Sequence, residues 1–167
     1  MEDRNKKEEF SLFDNNIPVS IKQYKTTGEE LCFDLHWHEK AEILAVNQGA
    51  LHAVTGGNLL TVKKGQILFV NPCELHSAKS DSGGVQYDCI IIEPNFFVSL
   101  NMDACDKALV DFQNMSIKIS NIISDKRMFA IIRKAINEYN KKSPNFELFV
   151  RAHLLLFMSE ALRGHVN

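Results

Sequence analysis

Between Ile17 and Ile92 apolar and polar residues change places over short runs, many of them alternating one by one. Side chains along a strand point to opposite faces in turn, so alternation of this kind predicts half-buried strands. The runs cover residues 19–24, 32–38, 42–46, 51–55, 59–62, 66–70, 76–79 and 85–92, and they are rich in β-branched and aromatic side chains. Turn-forming residues separate them: Thr27-Gly28, Gln48-Gly49, Gly56-Gly57-Asn58, Lys64-Gly65, Asn71-Pro72 and Ser82-Gly83-Gly84. Gly56-Gly57, between two alternating runs, is the sharpest hairpin signal. Short strands this closely spaced, with no helix-length period among them, predict an antiparallel sandwich or barrel.

After Glu93-Pro94 the period lengthens. Met128, Ile131, Ile132, Ala135, Ile136 and Tyr139 recur at helical steps, predicting a helix that starts at Ser124-Asp125 and runs to Asn140. Lys141-Lys142-Ser143-Pro144 should end it and open another, with Ser143 as cap and Pro144 in the first helical position. Phe146, Phe149, Val150, His153, Leu154, Phe157, Met158, Ala161 and Leu162 form the second stripe, and Gly164 is its expected stop. The pair is expected to be an antiparallel helical hairpin. Residues 94–121 are less regular, with short helices expected near 95–100 and 103–114. The expected organisation is an arm over 1–16, a β-barrel over 17–93 and a helical region over 94–167.

Leu148, Leu155 and Leu156 widen the second helix's apolar stripe beyond one face. A face that wide seldom stays in water. The expectation is that it packs on the β domain and also pairs with its twin in a homodimer, through Phe149, Val150, His153, Leu154, Phe157, Met158 and Ala161.

The chain has 167 residues, 45% hydrophobic and 24% charged, which suffices for one domain with its own core. A net charge of −2 gives no general electrostatic case for nucleic acid or anionic membrane. From Ser124 onward eight Lys/Arg stand against four Asp/Glu, so the preceding part carries −6; the basic tail reads as solvated helix faces. The four cysteines, Cys32, Cys73, Cys89 and Cys105, form no CxxC pair and read as reduced thiols. The N-terminus is a charged arm without a signal-peptide pattern, and no apolar run approaches the ~20 residues of a membrane span. A cytoplasmic protein with no membrane partner is expected.

The candidate chemistry lies in His36-Trp37-His38-Glu39-Lys40-Ala41-Glu42. His36 and His38 share a strand face while Trp37 points away, toward the arm or outer layer. A turn at Glu39-Lys40 would return the Glu42 carboxylate to the histidines, and His76 opens a later strand. Imidazoles plus one carboxylate suit Zn, Fe, Ni or Mn, with no basis for choosing among them. Tyr24 and Tyr87 are candidate pocket hydroxyls. His52 reads as an exposed strand residue and His153 as a packed helix residue. No nucleophile constellation or phosphate loop is present.

The spacing His36-x-His38-x3-Glu42-x6-Gly49 resembles the first cupin motif, and Gly65…Pro72…His76 resembles the second. The second departs from the metalloenzyme pattern: its proline-to-histidine step is one residue short, its glycine is replaced by Glu74 or absent, and the following asparagine is missing. The run from Phe33 to Gly49, and that from Leu59 to His76 with the same shortened step, resemble the sensor domain of AraC/XylS-family transcription regulators. A barrel followed by a helical pair ending in a Leu-rich helix is similar to that family over residues 10–164. The resemblance implies a cupin-type double-stranded β-helix, or jelly-roll barrel, followed by the helical hairpin. It implies a small polar effector such as a sugar, bound near His36, His38, Glu42, His76, Tyr24 and Tyr87. It also implies a homodimer, and a DNA-binding domain of two helix-turn-helix units that is absent from these residues, so a non-catalytic sensor fragment is expected. The alternative is a stand-alone metal-dependent cupin enzyme, an oxygenase or isomerase, using His36, His38 and Glu42 with His76 as fourth ligand or acid/base.

Overall fold

Two long strands carry the β domain, where the turn signals had suggested four short ones. A computed structural model describes residues 7–8, 17–93, 96 and 107–166. The elements are β1 (Val19–Lys25), β2 (Leu31–His36), β3 (Ala41–Thr55), β4 (Asn58–Lys63), β5 (Ile67–Val70), β6 (His76–Ile92), α1 (Lys107–Gln113), β7 (Ile122–Ile123), α2 (Lys126–Lys141) and α3 (Phe146–Gly164). β3 and β6 pair antiparallel from Ala41↔Ile92 to Thr55↔His76, with register shifts around Gln48 and Gly49. The first half of β3 also pairs with β5 and its second half with β4, while β6 pairs with β1 at one end and β2 at the other.

Gln48-Gly49 and Gly83-Gly84 were expected to be turns between strands. Instead they are bends within strands. Gly49 and Gly84 both have positive φ, and a Cβ on Gly49 would sit 2.1 Å from the Gly84 carbonyl oxygen. The two backbones touch there, which only glycine allows. The chain thus passes from one layer to the other without breaking its ladder, and the sheet folds over itself. Gly56 and Gly57, also at positive φ, do make the expected hairpin between Thr55 and Asn58.

The segment 41–46 is buried on both faces. Ala41, Ile43 and Ala45 join Phe69, Ile90 and Ile92 in the cluster that the helices complete. Leu44 and Val46 face the barrel interior with Leu51, Ala53, Val62 and Ala78 from the other layer. Glu42 has the parity of Leu44, so its carboxylate enters the interior. This is the antiparallel barrel with C-terminal helices that the cupin-type reading expects.

On the outer face Phe69 meets Phe112 of α1 and Phe157 of α3, at ring separations of 6.0 and 6.3 Å. Arg133 of α2 donates to Asp88 of β6, a buried carboxylate that also accepts from Asn47 and Gln23. Asp125 caps α2 by accepting from the Arg127 and Met128 amides at 2.7 and 3.2 Å. Arg127 near the start of α2 pairs with Glu160 near the end of α3, so the two helices are antiparallel. β7 was not expected; two isoleucines are too short a run to signal a strand.

Two helical expectations are corrected. Ser143 does not cap α3 and Pro144 is not its first residue: the Phe146 amide bonds to the Ser143 carbonyl, and Asn145 takes the left-handed N-cap conformation. The short connection from Lys142 needs this turn before the helix can begin. Second, Val150, Leu154, Phe157, Met158 and Ala161, expected at a dimer contact, are 0% exposed within the protomer. They pack on the β domain because that face meets the sheet. Phe149 remains half-exposed and His153 partly so, the latter donating Nδ1–H to the Phe149 carbonyl at 2.8 Å. The large exposed apolar residues of α3 are Leu148, Phe149 and Leu156. The expected helix over 95–100 lies, apart from Phe96, outside the described residues, as does the start of that over 103–114. No helix among the described residues is long and apolar enough to cross a membrane.

Leu154→Ala should therefore cost about 2–5 kcal/mol of stability in urea denaturation, and Leu148→Ala within about 0.5 kcal/mol. Equal losses would mean that α3 packs in another orientation.

Candidate functional site

β2 ends at His36, the chain bends at Glu39-Lys40, and β3 brings Glu42 back beside it. β6 starts at His76, directly across from His36 in the ladder. The result is a single cluster: one ligand atom from each of His36, His38, Glu42 and His76 lies within 4.8 Å of the others. The His36 and His76 rings are 4.2 Å apart between centroids, and His38 and His76 4.9 Å. His38, Glu42 and His76 are buried.

Backbone carbonyls orient all three rings. His36 Nδ1 lies 2.7 Å from the Asp34 oxygen, His38 Nδ1 3.0 Å from that of Lys40, and His76 Nδ1 2.7 Å from that of Glu74. A carbonyl only accepts, so each Nδ1 carries its hydrogen and each Nε2 faces inward. Glu42 Oε2 stands 3.3 Å from His38 Nε2 and 3.1 Å from His76 Nε2, and Oε1 accepts from the Cys89 thiol at 3.0 Å. A carboxylate oxygen and two imidazole lone pairs cannot share this space without a positive charge between them. Either a second ring proton or a metal ion must supply it. Burial on its own would raise the Glu42 pKa, but the bonds from His38 and His76 outweigh it and hold the carboxyl well below its usual range. Burial likewise opposes the charged form of His76, and the bond to Glu42 with its charge prevails, moving the imidazole upward.

A cavity of about 110 Å³ opens beside the cluster, lined by Tyr24, Phe33, His36, Glu42, Tyr87 and Cys89. Tyr24 and Tyr87 stack at 5.3 Å, Tyr24 being 42% exposed at the rim and Tyr87 buried. Burial raises both phenols and the Cys89 thiol, so all three stay protonated, as hydrogen-bond donors, at neutral pH. Glu8 also lines the cavity, with Oε2 2.9 Å from His36 Nε2.

A family model described as an AraC-like ligand binding domain matches residues 26–158. The chain belongs to this family. No curated protein matches this chain in sequence. Among solved structures it is similar to unsaturated fatty acid-bound ToxT from Vibrio cholerae, with a TM-score of 0.62 and 13% identity over 92% of this chain and 58% of that one. Weaker likenesses, both at a TM-score of 0.42 over 47% of this chain, are oxalate decarboxylase from Bacillus subtilis (16% identity, 22% of that chain) and an RmlC-like cupin from Shewanella frigidimarina (20%, 69%). At 13% identity the likeness to ToxT is one of fold.

Within the AraC-like domain, the four residues chosen for metal lie together, and Tyr24 and Tyr87 flank the cavity next to them. The shortened proline-to-histidine step still delivers His76 to the cluster. Trp37 turns toward the arm, where Lys7 lies 5.4 Å from its ring centroid. His52 sits on the opposite side of the sheet's strand pair from this site, bonded to Thr61 at 3.1 Å. Sequence reasoning missed Cys89, although it lies two positions after Tyr87 and so on the same strand face. It also missed Glu8, whose position depends on the Glu8 amide bonding to the Trp37 carbonyl, a contact with no local signal.

Glu74, which stands where the second motif departs from its pattern, has a structural use. Its buried Oε2 accepts from Thr55, from the amide and side chain of Asn71 and from Asn121, and Lys118 reaches Oε1. Asn71 in turn bonds the Ile119 backbone in both directions. The knot fixes the turn whose Glu74 carbonyl holds His76. Glu74→Ala should leave these donors unpaired and cost about 1–3 kcal/mol in chemical denaturation. A neutral result would mean that water replaces the carboxylate.

Proposed function

We propose that the chain is the effector-binding domain of an AraC-type transcription regulator, with a divalent transition metal (Zn, Ni, Fe or Mn) forming the floor of its ligand cavity. The observation that carries this reading is the common posture of three imidazoles: each gives Nδ1–H to a backbone carbonyl, His38 and His76 turn Nε2 toward Glu42, and His36 brings a ring nitrogen to the same cluster. Carbonyls that orient a histidine through its outer nitrogen leave the inner one as a metal ligand. His36, His38, Glu42 and His76 would hold the ion, which would supply a Lewis-acidic contact for a ligand oxygen. Tyr24 and Tyr87 offer hydroxyls, and Phe33 and Ile91 apolar walls.

The effector is a small polar metabolite. The cavity of about 110 Å³ opens to solvent beside half-exposed Tyr24 and suits a small ligand. The domain binds rather than turns over its ligand, and DNA is reached through a separate domain. Differential affinity of the ligand for two arrangements of the protein is what would bias that domain. A metal-dependent cupin enzyme, an oxygenase or isomerase, would offer the same donor set and is the second reading; turnover of a small substrate by the metal-loaded domain would favour it.

Protein purified without nickel should contain close to one equivalent of transition metal by elemental analysis, and His38→Ala should lose it. Retention of metal in the variant would count against coordination here. A homodimer is proposed through the exposed apolar side of α3. Leu148→Asp with Leu156→Asp should convert dimer to monomer by light scattering without loss of helical signal, whereas a wild-type monomer removes the idea.

A further inference from the structure

We infer that Cys89 is a positioning residue that sets the metal preference of the site: its thiol holds the outer oxygen of Glu42, keeps that carboxylate a one-oxygen ligand, and so favours zinc over manganese. This rests on the metal-site reading and chooses among the ions left open there. The two oxygens of Glu42 face different ways. Oε2 stands 3.3 Å from His38 Nε2 and 3.1 Å from His76 Nε2, whereas Oε1 accepts from the Cys89 thiol at 3.0 Å. Strand register makes this contact. In the β3–β6 ladder Ile91 stands opposite Glu42, and Cys89 stands opposite Leu44. Cys89 is thus the diagonal neighbour of Glu42 on the interior face, within reach of its far oxygen.

Every ligand of the cluster is then oriented from outside it. The imidazoles are turned by the carbonyls of Asp34, Lys40 and Glu74, and the carboxylate is turned by Cys89. Partners of this kind fix which atom a side chain offers to a metal. The sulfur itself stands outside the set. Among the described residues, the ligand atoms gathered within 4.8 Å of one another come from His36, His38, Glu42 and His76. With Oε1 held by Cys89, that set is three nitrogens and one oxygen. Zinc is satisfied by four such donors, or by a fifth from a bound ligand, while manganese prefers six, rich in oxygen. A second oxygen from Glu42 would move the site toward manganese, and the thiol keeps it engaged elsewhere. Glu42 and Cys89 are both buried, so an Oε1 that lost the thiol would need a new partner, and the ion offers one.

Nitrogen-rich sites bind zinc more tightly than manganese in general, so the diagnostic is a change in the ratio of the two affinities. The test strips the protein with a chelator and titrates zinc and manganese into the wild type, Cys89→Ala and Cys89→Ser. Cobalt(II) absorption reports the coordination number. Alanine removes the donor, and serine restores one. The expected wild-type cobalt spectrum is that of four or five ligands, without a sulfur-to-cobalt charge-transfer band. Cys89→Ala should lower the zinc-to-manganese affinity ratio about tenfold and move cobalt toward six ligands, and Cys89→Ser should reverse both changes. An unchanged ratio in Cys89→Ala, equal loss of both metals, or a serine variant indistinguishable from alanine would overturn the assignment and leave the metal site standing. So would a charge-transfer band in the wild type, which makes the sulfur a ligand, or six-coordinate cobalt there; neither needs a variant to fold. No binding of zinc or cobalt by the wild type would overturn the metal reading as well.

Discussion

Continuous pairing of β3 with β6 organises this domain, because both strands belong to two layers at once. One half of each strand faces the helices and the other lies against β2 and β4, and their pairing is maintained through a bend where Gly49 and Gly84 come into backbone contact. Everything functional inherits that path. Glu42 lies on the interior face because Ile43 and Ala45 must meet the helices, and His76 opens β6 opposite the end of β2 because the ladder extends that far. A side chain at Gly49 would push the two strands apart at the point where the sheet changes layer, and one at Gly84 would strike the Thr26 carbonyl after β1.

A carboxylate in such an interior is costly unless its charge is answered. Glu42 is answered on both oxygens, by two imidazoles and a thiol, and the imidazoles are held by carbonyls rather than by further side chains. The orientation of the cluster is therefore tied to the backbone of three segments: Asp34 in β2, Lys40 in the bend, and Glu74 in the turn before β6. The last is secured by the Asn71–Glu74–Asn121 network, which joins it to the chain around Ile119. Site geometry and packing of the helical region thus share one set of hydrogen bonds.

The helical region contributes mainly by closing the outer face. α3 spends Val150, Leu154, Phe157, Met158 and Ala161 on the sheet, and α2 adds the Arg133–Asp88 pair on the side of β6 opposite Tyr87 and Cys89. What is left outside on α3 is a narrower apolar strip around Leu148, Phe149 and Leu156. A helix apolar over two faces can serve two partners, and the sheet has first claim because it is tethered to the same chain.

Much of this was legible in the residue order. Alternation located the strands, helical steps located α2 and α3, and His36-x-His38-x3-Glu42 with His76 named the cluster, since periods of two and of 3.6 translate directly into faces. Local chemistry also decided the Gly56-Gly57 hairpin and the Asp125 cap. The rest depended on contacts between residues far apart in the chain. Whether a glycine ends a strand or bends it depends on what approaches it, and only the Gly49–Gly84 contact made the latter true. Which face of α3 was buried depended on where the sheet lay. Cys89 shared a visible alternation with Tyr87, yet its bond to Glu42 exists only because β3 and β6 pair in this register. Glu8 carried no signal in its neighbours at all. Sequence determined which side chains share a face; tertiary structure decided which faces meet, because that choice is set by packing and hydrogen bonding across long loops rather than by the period of any one segment.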